Sequence, residues 1–455
     1  MSSRHRSPQP NVPGRGIIAG YSPWFWAIVV GIGLAAGVAA AALIALLKLI
    51  QRIAYGYSSG SYLHAIARTS GEHRVLVLLL AGVIAAAGGY VVHRVGGSGA
   101  SDVSHVLWAS DGKLPFWRSI ARGVLSIVIV ALGASLGREA APQLAGAASA
   151  SGLCQLARLP VHQRRLLVAC GAGAGMAAVY NVPLGGALFA LEVLLGAVTL
   201  PLVLPALATS LIATAIAWVA LGDHPTYQLP ELRLVPSQIA WAAIVGPLAG
   251  LAAVAWVRTI ALVNRHKPTG GAARFLAPVV VFTALGTVAI SYPELLGNGQ
   301  DIIQLTLNDQ LAVVTIAVLL VLKPLATSAC VGAGARGGLF TPTLAFGALL
   351  GVLLGHAWTA LGGPGAPSSF AVIGGAAVLG ASMQGPLAAI VLVFELTRHA
   401  DALMVPMLLA VTEATVLARI IGAPSIYSAR LGASEPSSSD DADANRGKGL
   451  TAQAR

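Results

Sequence analysis

Four carboxylates lie inside or at the ends of apolar segments of the sequence: Glu139, Glu192, Glu395 and Glu413. A carboxylate at the centre of a membrane helix costs about 2.5 to 3.5 kcal/mol on insertion scales, so each needs a partner or a function. Glu139 precedes Pro142, a pattern typical of a helix amino terminus, where free N–H groups and the dipole attract negative charge. Either Glu139 caps that helix, or it occupies an anion site and leaves it when protonated.

Two glycine-rich segments contain hydrogen-bond donors that suit an anion. In Gly97-Ser98-Gly99 the glycines let the backbone approach an ion, and the serine adds a hydroxyl donor. The string from Gly337 and Gly338 through Leu339 and Phe340 to Pro342 opens an apolar segment with free backbone N–H groups, and Tyr427 follows the last apolar segment. A simple turn and an interfacial aromatic are the plainer interpretations of Ser98 and Tyr427. Together these residues indicate an anion held by dipoles and hydroxyls.

The composition indicates that a membrane surrounds these residues. Charged residues make up 10% of the 455, against about 25% in soluble domains, and 56% are hydrophobic. Such a chain needs the bilayer core as solvent, so we expect a polytopic membrane protein. The net charge of +11 comes from basic residues between apolar segments, which favours topology control over nucleic-acid binding. Arg4, Arg6 and Arg15 predict a cytoplasmic amino terminus and a multi-pass protein of the cell membrane.

Several apolar segments are too short to cross a bilayer, which predicts half-length helices lining a polar cavity or buried in protein. Others contain glycine and proline at mid-length, as at Gly171, Gly173 and Gly175, which predicts interruptions. The segments lie at about 22–50, 74–93, 119–136, 163–180, 183–221, 237–264, 275–291, 311–330, 339–361, 368–380, 386–397 and 402–421.

An internal repeat relates the two halves of the chain. Residues 171–192 align without a gap with residues 374–395, and the Pro-Leu and Glu positions coincide at an offset of 203. Glu192 therefore aligns with Glu395, and we interpret both first as structural caps or pair partners. A second motif, Pro142-Gln-Leu-Ala and Pro342-Thr-Leu-Ala, occurs in the same order. Duplicated halves with broken helices predict a transporter or channel with a site near the midplane.

Four short motifs occur in this order along the chain: Gly97-Ser98-Gly99, Gly137-Arg138-Glu139, Gly338-Leu339-Phe340-Thr341-Pro342 and Ser425-Ile426-Tyr427. They resemble the CLC family of chloride channels and proton-coupled chloride transporters. The resemblance implies an all-α, inverted-repeat fold with tilted and half-length helices, and a homodimer with one pore per protomer. It also implies that Ser98, Tyr427 and the amides of Leu339 and Phe340 bind chloride, with Gly97, Gly99, Gly137 and Gly338 shaping the anion loops. Glu139 would be the gating glutamate.

Departures from the family pattern bear on mechanism. Ala140-Ala141 follow Glu139 where the family usually has Gly-Pro, and Ala100-Ser101 follow Gly99 where it usually has Ile-Pro. Val193 occupies the position of the internal glutamate that proton-coupled members commonly carry. Valine cannot accept a proton, so a voltage- or pH-sensitive channel is expected, and an antiporter with another proton route is the alternative.

The predicted organisation is a basic cytoplasmic segment at 1–20, a transmembrane domain at 21–431 with repeats at about 21–221 and 237–421, and a disordered cytoplasmic tail at 432–455. We expect no enzyme, no cofactor and no metal, with chloride and membrane lipid as partners. The Gly133-Ala-Ser135-Leu-Gly137 string formally fits a nucleophile elbow, which makes an intramembrane serine hydrolase the remote alternative.

Overall fold

The computed structural model describes residues 21–57, 60–96, 102–232, 235–268 and 270–431. Within these ranges the chain forms seventeen α-helices and no β-strand longer than an isolated bridge. The helices are α1 Pro23–Tyr55, α2 Tyr62–Arg68, α3 Gly71–Gly96, α4 Val103–Ala109, α5 Phe116–Ala131, α6 Ala140–Leu156, α7 Val161–Tyr180, α8 Pro183–Leu188, α9 Leu200–Leu221, α10 Ser237–Arg265, α11 Gly271–Val288, α12 Gln300–Leu307, α13 Val313–Gly332, α14 Phe340–Ala360, α15 Pro367–Met383, α16 Pro386–Thr397 and α17 Met404–Ile420. The predicted segments 1–20 and 432–455 lie outside the described residues.

Eight of the described helices are long and apolar enough to cross a membrane, whereas α15, α16 and the helical segment Pro183–Leu195, which begins with α8, are shorter and apolar. Many large apolar side chains on the long helices face outward, for example Val38 at 60% and Ile53 at 75% exposure on α1. A helix that is apolar on its outer face suits lipid as its surroundings. The all-α, polytopic fold with half-length helices is therefore confirmed.

The internal repeat reappears in the backbone. Helix α7 ends at Asn181 with φ 58°, and α15 ends 203 residues later at Gln384 with the same φ. Val182 and Gly385 follow with φ −131° in both cases, and a proline then starts the next helix. The two chain reversals are thus conformational copies, although Asn and Gln occupy a left-handed conformation that favours glycine.

Glu192 and Glu395 are reciprocal helix caps. Glu395 accepts hydrogen bonds from the N–H groups of Leu184 and Gly185 at the start of α8, at 3.0 and 2.6 Å. Glu192 accepts from Leu387 and Ala388 at the start of α16, at 3.2 and 2.6 Å. Free amides at a helix start stabilise a carboxylate. Each half therefore caps the other, as the sequence indicated.

The boundaries correct some sequence expectations. Glycines 171, 173 and 175 do not interrupt α7, because the turn comes only at Asn181. A side chain on Gly175 would lie 2.1 Å from the carbonyl oxygen of Pro142, so the glycine permits contact between helices. The segment at 183–221 is divided into α8, a π-helical turn at Phe189–Leu195 that carries Glu192, and α9. Helix α6, rich in Ala, Ser and Gly, was absent from the predicted apolar segments.

Candidate anion site

The loop between α5 and α6, residues 132–139, carries Glu139 into the middle of the protein. Tyr55 donates a hydrogen bond to the carbonyl of Leu132 at 2.8 Å, and the N–H of Gly297 donates to Gly133 at 3.0 Å. Lys323 in turn donates to the carbonyls of Leu295 and Gly297, at 3.0 and 2.8 Å. The Tyr55 hydroxyl and the Gly297 amide therefore satisfy the carbonyls of Leu132 and Gly133, which would otherwise be costly to bury, and Lys323 holds the segment that carries Gly297.

The same loop pairs with its counterpart in the other half. Gly137 and Gly338 exchange backbone hydrogen bonds of 2.7 Å in both directions. A β-carbon on Gly338 would lie 1.8 Å from a carboxylate oxygen of Glu139, and one on Gly137 would lie 2.2 Å from the other oxygen. Both positions need glycine because the carboxylate fills the space that any side chain would require.

Glu139 is 1% exposed, and its carboxylate has two identified donors from elsewhere in the chain. The N–H of Phe340, the first residue of α14, donates to Oε1 at 2.7 Å. The phenol of Tyr180 donates to Oε2 at 3.0 Å. Glu139 is the N-cap residue of α6 but makes no side-chain cap to that helix. It binds instead to one of the two amides that the resemblance assigned to chloride.

Tyr180 is a site residue that sequence reasoning did not identify. Its hydroxyl lies 2.5 Å from Oγ1 of Thr341, and both side chains are fully buried. Because a phenol has one proton and Tyr180 donates it to Glu139, Thr341 must donate to Tyr180. The guanidinium carbon of Arg138 lies 5.2 Å from the centre of the same ring. The only sequence signal was a phenol at the end of an apolar segment, beside the Asn181 turn.

Three cavities lie along this region. The outer cavity, of about 480 Å³, is lined by Lys48, Arg52, Arg138 and Asp301. The small cavity, of about 110 Å³, brings Tyr427 together with Gly337 and the first turn of α6. The basic cavity, of about 440 Å³, shares Asp102, Arg336 and Arg430 with the small cavity. Tyr62 of α2 lines the outer cavity, and α3 begins beside α2, where Arg74 bonds to Ile66. Tyr90, near the other end of α3, lines the basic cavity. The outer cavity and the basic cavity therefore lie on opposite faces of the protein.

The structure describes some of the predicted site residues and not others. Leu339 and Phe340 are buried at the start of α14, and the ring of Tyr427 packs 5.4 Å from that of Phe189. Gly97, Ser98 and Gly99 lie outside the described residues. Their proposed contact with an anion therefore stays a prediction.

The remaining candidate acids and Ser135 have different surroundings. Val193 is buried and would lie 2.6 Å from a β-carbon on Gly385, so it packs where the two halves meet. Oε2 of Glu413 is buried without a hydrogen-bond partner among the described residues and faces Gly246. The hydroxyl of Ser135 lies 3.3 Å from Oγ1 of Thr327, and no histidine in the described ranges bonds to it. Within the described ranges, no three His, Cys, Asp or Glu residues form a group suited to a metal.

A family model described as "Voltage gated chloride channel" matches residues 77–419. The chain belongs to this family. A ClcB-like protein of Ralstonia nicotianae is 36% identical over 345 residues, covering 73% of this chain and 79% of the relative. The voltage-gated ClC-type chloride channel ClcB of Citrobacter koseri is 28% identical, covering 87% of this chain and 96% of its own length.

Among solved structures, a slow cyanobacterial Cl⁻/H⁺ antiporter superimposes with a TM-score of 0.79 at 22% identity, covering 90% of this chain and 97% of that one. At that identity the likeness shows the fold. Membership in the chloride channel family places the function of this chain in membrane transport of chloride, and in a family of transport proteins instead of enzymes.

Proposed function

We propose that the chain is a chloride channel gated by protonation of Glu139. The observation that carries this proposal is the bond from the Phe340 amide to the Glu139 carboxylate. That amide is a donor expected for chloride, and a carboxylate and a chloride ion compete for the same N–H group. The ionised side chain thus occupies the position of a conducted ion.

Protonation opens this gate through the loss of charge. A neutral carboxyl group is a weaker acceptor for the Phe340 amide than a carboxylate, and chloride then becomes the better partner. The same change alters the Tyr180 contact, because a protonated Glu139 brings a donor of its own to the phenol. Flux is therefore expected to increase as the pH falls.

The proposed pathway runs from the outer cavity past Glu139 to Tyr427 and the basic cavity. Lys48, Arg52 and Arg138 attract anions at one mouth, and the arginines of the basic cavity attract them at the other. Ser98 and Tyr427 contribute hydroxyl donors between them, as the amides of Leu339 and Phe340 contribute N–H groups. No cofactor enters the proposal, since chloride is the cargo.

Val193 and the two capping glutamates support a channel over an exchanger. Val193 offers no protonatable group, and Glu192 and Glu395 each hold two helix amides, which ties them to structure. Proton-coupled exchange would need another acid or a water route. The hydroxyls of Tyr180 and Thr341 beside Glu139 are the described groups that such a route would use first.

Purified protein in liposomes tests the proposal, with chloride efflux and external pH recorded together. Downhill chloride flux that increases at acidic pH, without proton movement, supports the channel. Uphill proton movement driven by a chloride gradient would establish the antiporter instead. Glu139→Gln should abolish the pH dependence of flux, and unchanged pH dependence would remove Glu139 from the gate. Ser135→Ala is the matched control for these flux measurements. If Ser135→Ala lost a hydrolytic activity while Glu139→Gln kept normal chloride flux, the intramembrane serine hydrolase would be favoured over the channel.

We further propose a homodimer in the cell membrane, with one pathway in each protomer and with the amino terminus and the basic cavity on the cytoplasmic side. At the capped starts of α8 and α16 the apolar side chains of Leu184 and Leu387 are 45% and 51% exposed. This surface suits either a second protomer or lipid. Cross-linking of cysteines at these two positions in membranes tests for the dimer, and labelling of an amino-terminal tag in intact cells tests the orientation.

A further inference from the structure

The basic cavity and the small cavity together hold an unusual concentration of positive charge. Arg122, Lys267, Arg274, Arg336 and Arg430 line one or both of them, against the single carboxylate of Asp102. Five cations and one anion leave a formal charge of +4. Chloride as the sole occupant would neutralise only a quarter of that charge.

These cations are not neutralised by ion pairs within the described chain. Across the described residues the one ion pair joins Arg398 to Asp223, away from both cavities. Asp102 uses its carboxylate to cap α4, accepting a hydrogen bond from the N–H of Ser104 at 3.1 Å. Arg430 donates to a neutral carbonyl, that of Gly337, at 3.0 Å. Unneutralised charge of this density calls for a bound counter-ion.

Buried donors without partners point to where that anion sits. Arg122 is 5% exposed, and its Nε and Nη1 atoms have no hydrogen-bond partner among the described residues. Ser126, one turn further along α5, is 3% exposed, and its hydroxyl likewise has no partner within the part of the chain that the structure describes. Both residues line the small cavity. Buried polar groups are normally satisfied, so these donors indicate a ligand with several acceptor oxygens.

The lowered pKa of Lys267 also indicates a bound anion in the basic cavity. Burial, with further repulsion from Arg430 and Arg336, lowers the pKa of Lys267 to about 8. This lysine lies beyond the end of α10, outside the membrane-spanning segments. Its ammonium group is therefore held in a cavity that already has an excess of cations, and an anion there would relieve the repulsion.

We propose that the junction of the two cavities binds a tetrahedral dianionic oxyanion, of the sulfate or phosphate class, which blocks chloride entry beside Tyr427. Guanidinium groups present paired N–H donors that match two oxygens of such an anion, and Arg336 and Arg430 line both cavities at the junction. The ligand is a blocker and is not transported, because the small cavity of about 110 Å³ narrows the route towards the buried Glu139. The blocking effect rests on the proposed chloride pathway, whereas the binding does not.

Sulfate binding to the purified full-length protein is the primary test, measured by titration calorimetry at fixed ionic strength with chloride as the competing salt. Fixed ionic strength is needed because salt screens exposed charges. We expect the Arg336→Gln, Arg430→Gln double variant to bind sulfate at least about tenfold more weakly. Arg158→Gln is the matched control, since Arg158 is exposed and lines neither cavity. No sulfate binding by the native protein, or equal loss in the control, would overturn the proposal.

Arg336→Lys covers the case in which the double variant does not fold. It retains the charge but loses the paired donors, so sulfate affinity should fall while a monovalent anion binds as before. Equal affinity of Arg336→Lys and native protein for sulfate would contradict an oxyanion site. In liposomes, sulfate should reduce chloride efflux without entering the vesicles, and accumulation of labelled sulfate would refute the blocking role. Sulfate binding without any chloride flux would leave the site intact and reject the proposed channel.

Discussion

The two capping glutamates and Glu139 use their carboxylates in different ways. Glu192 and Glu395 form a symmetric pair, in which each carboxylate caps the helix of the other half through two amides. Glu139 has no such counterpart: when Pro142 is aligned with Pro342, Leu339 stands at its position. It takes one helix amide and one phenol instead. Duplication thus preserved the carboxylates that hold the halves together, and the proposed gate lies where the halves differ.

The comparison predicts that removing the symmetric caps costs the most stability. Glu192→Gln with Glu395→Gln leaves an amide NH₂ facing helix N–H donors in each half, so the protein should lose about 3 kcal/mol or more of unfolding free energy. Thermal unfolding in detergent measures this loss. Glu139→Gln is the comparison variant and should lose less, because its carboxylate accepts from a single helix amide and the substitution removes a charge that is costly to bury. If Glu139→Gln proves as destabilising as the double variant, the functional difference between the two regions disappears.

Gly338→Ala should disturb the gate more than the fold. The new methyl group would lie 1.8 Å from Oε1 of Glu139 and must displace the carboxylate, at a cost of about 1 to 3 kcal/mol. We expect higher chloride flux at neutral pH, where the proposed gate should be mostly closed in the native protein. Liposome efflux at pH 7.5 measures the change. Gly89→Ala is the control, because a β-carbon there meets nothing within 4 Å. Native-like flux in Gly338→Ala would mean that the carboxylate does not block the pathway.

Tyr180→Phe should shift the pH response modestly. It removes one hydrogen bond to the carboxylate, a loss of about 1 kcal/mol in the charged form. That energy corresponds to a shift of about 0.7 pH unit, since one unit is about 1.4 kcal/mol. The midpoint of acid activation should therefore move to higher pH, with the maximal flux little changed. A shift to lower pH, or a change in maximal flux alone, would assign Tyr180 another role.

The smallest expected effect concerns Lys267 and sulfate. Its pKa of about 8 means that the side chain loses its charge as the pH rises from 7 to 9. Sulfate keeps its charge throughout this range, so its affinity should fall about twofold to fivefold, from the loss of one of five cations. Calorimetry at both pH values measures the change, and Lys267→Gln should remove the pH dependence. Binding that strengthens with pH would contradict a contribution from this lysine.

Sequence reasoning predicted the architecture and the caps because both depend on patterns. Apolar length predicted the spanning helices, and the 203-residue offset predicted that Glu192 and Glu395 correspond. It placed a helix amino terminus at Glu139 but left α6 out of the apolar segments, since Ala, Ser and Gly give weak hydropathy although the helix is buried. It also missed Tyr180, whose contact with Glu139 joins residues 41 positions apart through tertiary packing. Proximity of that kind leaves no periodic trace in a single sequence.

The glycine contacts between α6 and α7 limit how Glu139 can move. Gly146 and Gly171 pack so closely that a β-carbon on either would lie 2.4 Å or less from the carbonyl oxygen of the other, and Gly175 is equally close to Pro142. Backbones in such contact cannot slide past one another without a clash. Helix α6, which begins after Glu139, therefore cannot shift relative to α7. Rotation about the side-chain bonds of a single residue is the least costly motion left, and the opening rate would then follow the arrival of a proton.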